Sequence, residues 1–314
     1  MEDFCIDNLS IEKILRKYKL GSLKSVEKIT TGLINPIYLV NEEIIIRIGS
    51  KMDDNPDKFK REAYLFTLLP KFGIPTPKLF GLDESEKIIK ASYILMDYIP
   101  GQNLQQSFGL LDKKSQKNIS YELGSLIKRI HSITPDKIDT TGLFGNIETW
   151  ISKSIKDFEI FWQVVKTKNY FSNNINESII HTFEKFKKIL WHNHGRLIHG
   201  DFSAGNIQIR DTKIVGIFDF EFSFIADPLW DLQKFPISFQ LGDNFNKVSF
   251  LQGYGLTAFS EEEKIRLKMH CFHQGIWEIW ATITQKMPFN EKEMNEGIHL
   301  VHSAMNDNLL EESV

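Results

Sequence analysis

Residues 197–222 read LIHGDFSAGNIQIRDTKIVGIFDFEF, a β-rich island between long helical patterns. Extended segments are expected at 196–199, 206–210 and 213–218, with a turn at Asp211 and Thr212. Asp201 and Asn206 then fall on the loop between the first two segments. If Asn206 opens one arm of a hairpin and Asp219 closes the other, the hairpin returns Asp219 beside Asn206. A carboxylate and an amide oxygen converging there suit a hard cation such as Mg²⁺, which takes few protein oxygens and shares the rest with phosphates and water. Asp201 is left to act as a base on a hydroxyl. Taken singly, each of these acidic residues reads equally well as a turn former or a cap.

Upstream, a helix is expected from an N-cap at Ser10, with Ile11, Ile14, Leu15 and Tyr18 on one face. Strands at 24–31, 37–40 and Ile44–Ile48 give a small antiparallel sheet, and Asn55-Pro56 opens a helix running to about Phe72. Its apolar face is Phe59, Ala63, Phe66 and Leu69, and Glu62 falls inside that stripe. Arg47 stands among Ile44, Ile45, Ile46 and Ile48. A charge in an apolar strand and another on an apolar helix face are each costly alone, so Arg47 and Glu62 are expected to neutralise one another. A strand at 92–98 leads to Pro100-Gly101, and beyond it helical patterns dominate, at 113–132, 147–166, 175–191 and 261–285, the last opened by a capping box from Ser260. The division expected is 1–99 and 100–314, with a hinge at 96–101.

His199-Gly200-Asp201 with Asn206, then Phe218-Asp219-Phe220-Glu221, then Asp227-Pro228-Leu229-Trp230-Asp231-Leu232, resembles in order and spacing the aminoglycoside phosphotransferase and choline kinase group of protein-kinase-like enzymes. The resemblance runs from about residue 22 to the late helices. It implies an α+β, bilobal kinase-like fold: a small N-terminal antiparallel sheet with a helix, a hinge, and a larger, mostly helical C-terminal lobe. By the same likeness the segment 31–38, with Gly32 and Asn35, covers the nucleotide phosphates. Arg47, fixed by Glu62, takes the place of the phosphate-binding Lys of protein kinases; Arg keeps the charge and adds a planar fork. Met96 would be the gatekeeper, and the Asp97 carbonyl and Ile99 amide would hold the purine edge. Asp201 would orient and deprotonate a hydroxyl, Asn206 and Asp219 would hold Mg²⁺ on ATP or GTP, and His199 and Asp231 would brace the catalytic loop. Glu221, Asp243 and Glu278 are candidates for binding substrate.

Composition sets the limits. Thirty-eight Lys and Arg against forty-one Asp and Glu in 314 residues give a net charge of −3, with 42% hydrophobic residues, an ordinary globular balance. That charge gives no ground for nucleic-acid binding. Two cysteines far apart, Cys5 and Cys271, fit a reducing compartment, and an acidic N-terminus without a long apolar stretch points to the cytoplasm rather than a membrane. The stretches 1–100, 101–200 and 201–314 carry 0, +5 and −8. The acidic final third is either a solvated surface or a cleft for a cationic, hydroxylated small molecule.

The reading is therefore transfer of phosphate from ATP or GTP to a hydroxyl, with an aminoglycoside-type antibiotic as first acceptor. Choline, homoserine, methylthioribose and macrolides are the alternatives. The rival from another class is a nucleotide-binding protein that does not catalyse, motivated by Arg47 and the single glycine of the phosphate turn. The spacings of His270, Cys271, His273, His299 and His302 fit no zinc site.

Overall fold

In the computed structural model, residues 6–29, 35–49, 57–138, 142–192, 194–287 and 290–305 are described. They form two compact units, one of Met1–Gln102 with Ile207–Phe222 and one of Asn103–Asn206 with Ser223–Val314. The α+β class expected from the sequence is what the chain adopts, an antiparallel sheet followed by a helical region.

The first unit is built on β1 (Val26–Ile29), β2 (Ile37–Val40), β3 (Ile44–Ile48), β4 (Leu79–Asp83) and β5 (Tyr93–Asp97), in the spatial order β1-β2-β3-β5-β4. All neighbours are antiparallel. Side chains alternate across a strand. Ile44, Ile46 and Ile48 therefore share one face with Tyr38, Val40, Tyr93 and Leu95, and that face packs against Ile11, Ile14 and Leu15 of α1 (Asn8–Tyr18). Each such fully buried aliphatic side chain contributes about 1.5–3 kcal/mol. The N-cap of α1 is Asp7, whose carboxylate accepts from Ser10 N–H at 2.7 Å. Ser10, expected to be the cap, lies inside the helix because an acidic oxygen three residues earlier reaches the orphan donor first.

Alternation puts Arg47 on the other face, in register with Ile94, beside the Ile45 and Met96 pair. Phe59, Ala63 and Phe66 on the buried side of α2 (Lys58–Leu68) carry the expected apolar stripe, with Leu69 just beyond. Its expected opening at Asn55-Pro56 lies outside the described residues, as does the turn with Gly32. The same unit holds a hairpin, Ile207–Arg210 against Lys213–Ile217, with Ile207 opposite Ile217. It is tied down where Ile217 N–H donates to Pro75 O at 2.8 Å and where Phe220 meets Phe66 edge-on at 6.2 Å.

The second unit contains α3 (Leu104–Ser107), α4 (Lys113–His131), α5 (Ile147–Val165), α6 (Asn173–Ile189), α7 (Lys247–Tyr254), α8 (Glu261–Ile283) and α9 (Glu291–Ala304). Ser260 closes the expected capping box with Glu263. Two helix pairs approach backbone to backbone. A Cβ on Gly124 of α4 would lie 2.0 Å from Phe250 O, and one on Gly253 of α7 2.0 Å from Tyr121 O; Gly275 of α8 and Gly297 of α9 meet in the same reciprocal way. The strand Arg196–Ile198 pairs antiparallel with Phe224–Ala226. No helix among the described residues is long and apolar enough to cross a membrane.

Candidate active site

In the first unit three carboxylates converge on one guanidinium. Arg47 Nη1 donates to both oxygens of Glu62, at 3.1 and 3.0 Å, so the charges expected to meet do meet. Arg47 Nη2 donates to Asp219 Oδ1 at 2.9 Å and to Glu221 Oε2. The hairpin makes this possible by delivering Asp219 and Glu221, two residues apart, just beyond its second strand. Asp219 sits at φ +67°, a left-handed conformation a non-glycine residue rarely holds, and such strain concentrates at functional positions. Arg61 Nε fixes the Glu221 carbonyl at 3.0 Å. Glu62 takes further backbone hydrogen bonds from Asp219 and Phe220.

Burial works against the Arg47 charge, but Asp219, Glu62 and Glu221 outweigh it and hold its pKa above the ordinary value. For Glu62 and Glu221 burial dominates and pushes the carboxyl pKa up, with Arg47 pulling the other way and the neighbouring carboxylates adding to the rise. Glu62 and Glu221 are buried, while Asp219 is one-third exposed. Of the three, the partly exposed Asp219 offers hard carboxylate oxygen of the kind Mg²⁺ takes. Lys58, buried, donates to Asn35 Oδ1 at 2.8 Å and adds a second positive charge near Glu221. Glu221, expected to face substrate, is instead buried against Arg47, because the short helical turn Phe220–Phe222 folds it back towards the sheet.

Along β5, Met96 is buried on the Arg47 face. The Asp97 N–H donates to Lys78 O at 3.0 Å, while the Asp97 carboxylate accepts the Lys78 N–H at 2.6 Å, so a side chain takes the strand partner's donor. Ile99 lies two residues past the end of the strand. Gly101 has no room for a Cβ, which would stand 2.7 Å from Ile209 O.

In the second unit the loop after Ile198 is held by Asp231. Its Oδ2 accepts from His199 N–H at 2.7 Å and its Oδ1 from Gly200 N–H at 2.8 Å. Asp231 is itself held by His131 Nε2 at 3.0 Å, whose Nδ1 meets Tyr254 Oη at 2.8 Å. Trp230 Nε1 donates to Gly200 O at 3.2 Å, and Gly200 adopts φ +89°, a turn open to glycine. His199, fully buried, accepts from Asp201 N–H through Nδ1 at 3.3 Å. Asn206 Nδ2 donates to Asp201 O at 2.9 Å and Oδ2 at 3.2 Å. With the amide nitrogen directed there, Oδ1 is the remaining acceptor of the Asn206 side chain.

The Asp201 side chain is 40% exposed and its Oδ1 lies 3.6 Å from Lys234 Nζ. Glu278, on α8, accepts from Gln274 Nε2 at 2.8 Å; burial pushes its pKa up to about 7, against the pull of Lys234. Asp243 stands in an exposed turn between Gly242 and Asn246. Sequence reasoning missed Lys234, Lys58, Arg61 and His131. The available signal for Lys234 was a lysine set among Leu232, Phe235 and Pro236. No grouping of three or more His, Cys, Asp or Glu suited to a metal occurs among the described residues.

Among solved structures, the chain is similar to the GDP and kanamycin complex of APH(2″)-IIIa, at 16% identity over 94% of this chain and 97% of that one, with a TM-score of 0.72. The ternary complex of streptomycin, ATP and APH(2″)-IIa matches at 18% identity over 96% and 97%, TM-score 0.65. A thermostable mutant of aminoglycoside phosphotransferase APH(4)-Ia with AMP-PNP and hygromycin B matches at 15% over 95% and 99%, TM-score 0.67. These likenesses establish the kinase-like fold. No curated protein matches the sequence. The family model described as the phosphotransferase enzyme family matches residues 25–267, a span that takes in Arg47, Glu62 and the whole stretch from His199 to Asp231, and so the chain belongs to that phosphotransferase family.

Proposed function

We propose that the protein transfers the terminal phosphate of ATP or GTP to a hydroxyl of a small molecule, with Asp201 as the base. The observation that carries this reading is the loop geometry: Asp231 fixes the two peptide N–H groups before Asp201, and Asn206 orients its carboxylate from the other side. Asp201 accepts the hydroxyl proton, the freed oxygen attacks the terminal phosphorus, and the bond to the leaving nucleoside diphosphate breaks. Asn206 Oδ1 and Asp219 are the oxygens that would hold Mg²⁺, which neutralises charge on the phosphates during transfer. Arg47, kept in place by Glu62, steadies the phosphates; Met96, Asp97 and Ile99 receive the base; Asn35, reached by Lys58, belongs to the phosphate-covering segment 31–38. The solved neighbours' complexes with GDP, ATP and AMP-PNP support either nucleotide.

Aminoglycosides are the first acceptors to try, supported by the neighbours named with kanamycin, streptomycin and hygromycin B and by the acidic final third. A second reading, a hydroxylated metabolite, is favoured by the ammonium of Lys234 beside Asp201. The test is release of ADP or GDP, with Mg²⁺, across aminoglycosides, macrolides, choline, homoserine and methylthioribose. Asp201→Asn is expected to lower acceptor-dependent release about 10²- to 10⁴-fold while nucleotide binding persists. Acceptor-dependent release that is unchanged in Asp201→Asn would overturn the assignment of the base.

A further inference from the structure

Lys234 follows the short helical turn Pro228–Leu232 and lies beside Oδ1 of the proposed base, whereas Asn206 donates to its Oδ2. Its side chain is only 14% exposed. The carboxylates acting on it come from three elements: Asp201 on the loop, Glu278 on α8 and Glu296 on α9. Burial alone would favour the neutral amine, but these carboxylates outweigh it and the net shift is upward, so Lys234 is an ammonium throughout the neutral range.

Glu296 also lines a cavity of about 620 Å³ with Gln240, Lys292, Asn295 and His299. There its Oε2 accepts from Gln240 Nε2 at 2.9 Å, and its Oε1 lies 3.8 Å from Lys292 Nζ. Carboxylates grouped around a base suit a polycationic acceptor only while they are unneutralised. Here the chain supplies the counter-charge itself, next to the atom that must receive the hydroxyl proton. A second ammonium brought to the same place meets a like charge in a partly desolvated setting, which disfavours binding strongly.

We propose that Lys234 is a specificity-determining residue of the acceptor cleft: a fixed cation beside Asp201 that rejects an acceptor whose reacting hydroxyl is flanked by an ammonium and admits one that is oxygen-rich and uncharged there. The proposal rests on Asp201 being the base of the kinase reading. It narrows the acceptor to a neutral polyol around the reacting hydroxyl, with any cationic group held farther away.

Equilibrium titration of the full chain with kanamycin as the polycationic probe and methyl α-glucoside as the neutral one tests it without requiring turnover. Lys234→Met is expected to tighten kanamycin binding by about tenfold or more at low salt, a gain that shrinks as salt rises, while the neutral probe does not gain. Lys234→Arg, which keeps the charge, is expected to stay within about twofold of the parent. Kanamycin binding that is unchanged or weaker in Lys234→Met, or that tightens equally in Lys234→Arg, would overturn the proposal. If Lys234→Met fails to fold by circular dichroism, Lys234→Gln makes the same comparison. Absence of acceptor-dependent nucleotide turnover in the parent would count against the kinase reading alone, since the affinity ratios would still decide the role of Lys234.

Discussion

Arg47→Met removes the one guanidinium shared by Glu62, Asp219 and Glu221 without removing much volume. Four nitrogen-to-oxygen contacts disappear, and Glu62, 1% exposed, keeps only its backbone donors. Breaking a buried pair from one side costs about 3–5 kcal/mol, most of it the penalty of a charge left alone. Unfolding entropy is about 2.1 cal/mol/K per residue near 60 °C. For the first unit of roughly 120 residues the loss amounts to a fall in Tm of about 12–20 °C if that unit melts separately, and about 5–8 °C if all 314 residues melt together. Calorimetry distinguishes the two by the number of transitions. Adding Glu62→Gln to Arg47→Met takes away the stranded charge, and the double variant is expected to recover about 1–3 kcal/mol, a coupling far outside additivity. A coupling below about 0.5 kcal/mol in the complete double-mutant cycle would refute the argument that these two charges stabilise one another.

Two further outcomes follow from packing and charge elsewhere. Asp227 is fully buried, and although burial raises its pKa, His270 at 2.9 Å and Arg266 at 2.7 Å bring it down to about 2. A depressed carboxylate pKa gives stability that is complete above its unfolded value near 4 and disappears as pH falls towards 2, so Asp227→Asn should cost about 2–3 kcal/mol at pH 7. In urea titrations that gap should close between pH 4 and 2; a gap independent of pH would contradict the ion pair. Gly124→Ala places a Cβ 2.0 Å from the Phe250 carbonyl and is expected to cost about 2–3 kcal/mol in denaturant melts, whereas Gly109→Ala, with open space around it, should be near neutral. Equal stability of the two variants would show that α4 and α7 are not packed backbone to backbone.

What the sequence made legible depended on whether the cause was local. The loop from His199 to Asn206 could be read because its residues act within a few positions of one another, and the pairing of Arg47 with Glu62 because each breaks an apolar pattern that needs compensation. Among the elements not anticipated are β4, α7 and α9. Each contains a glycine that reads as a breaker yet occupies a place where another part of the chain fills the space of a side chain. The Tyr18 ring lies 2.0 Å from a Cβ on Gly81, the Tyr121 carbonyl 2.0 Å from one on Gly253, and the Gly275 carbonyl 2.6 Å from one on Gly297. Close approach of distant backbone leaves no mark in hydrophobic periodicity. The pairing of Glu221 with Arg47 and of Lys234 with Asp201 was not legible either, since the partners stand 174 and 33 residues apart and meet only through the fold.

The carboxylates that complete the Arg47 cluster come late. Asp219 lies 172 residues beyond the arginine and Glu221 174. At about 5–20 residues per second of synthesis, the guanidinium leaves the ribosome roughly 9–35 s before the hairpin that meets it. Once β5 has been made, the five-stranded sheet has Glu62 but neither Asp219 nor Glu221 to set against Arg47, while the segment between Asn103 and Asn206, which belongs to the other unit, is being emitted. The first unit is completed only after the segment 103–206 of the other unit has been made. A chain stalled before residue 207 therefore holds a sheet without its hairpin, the form in which chaperones and proteases would meet it.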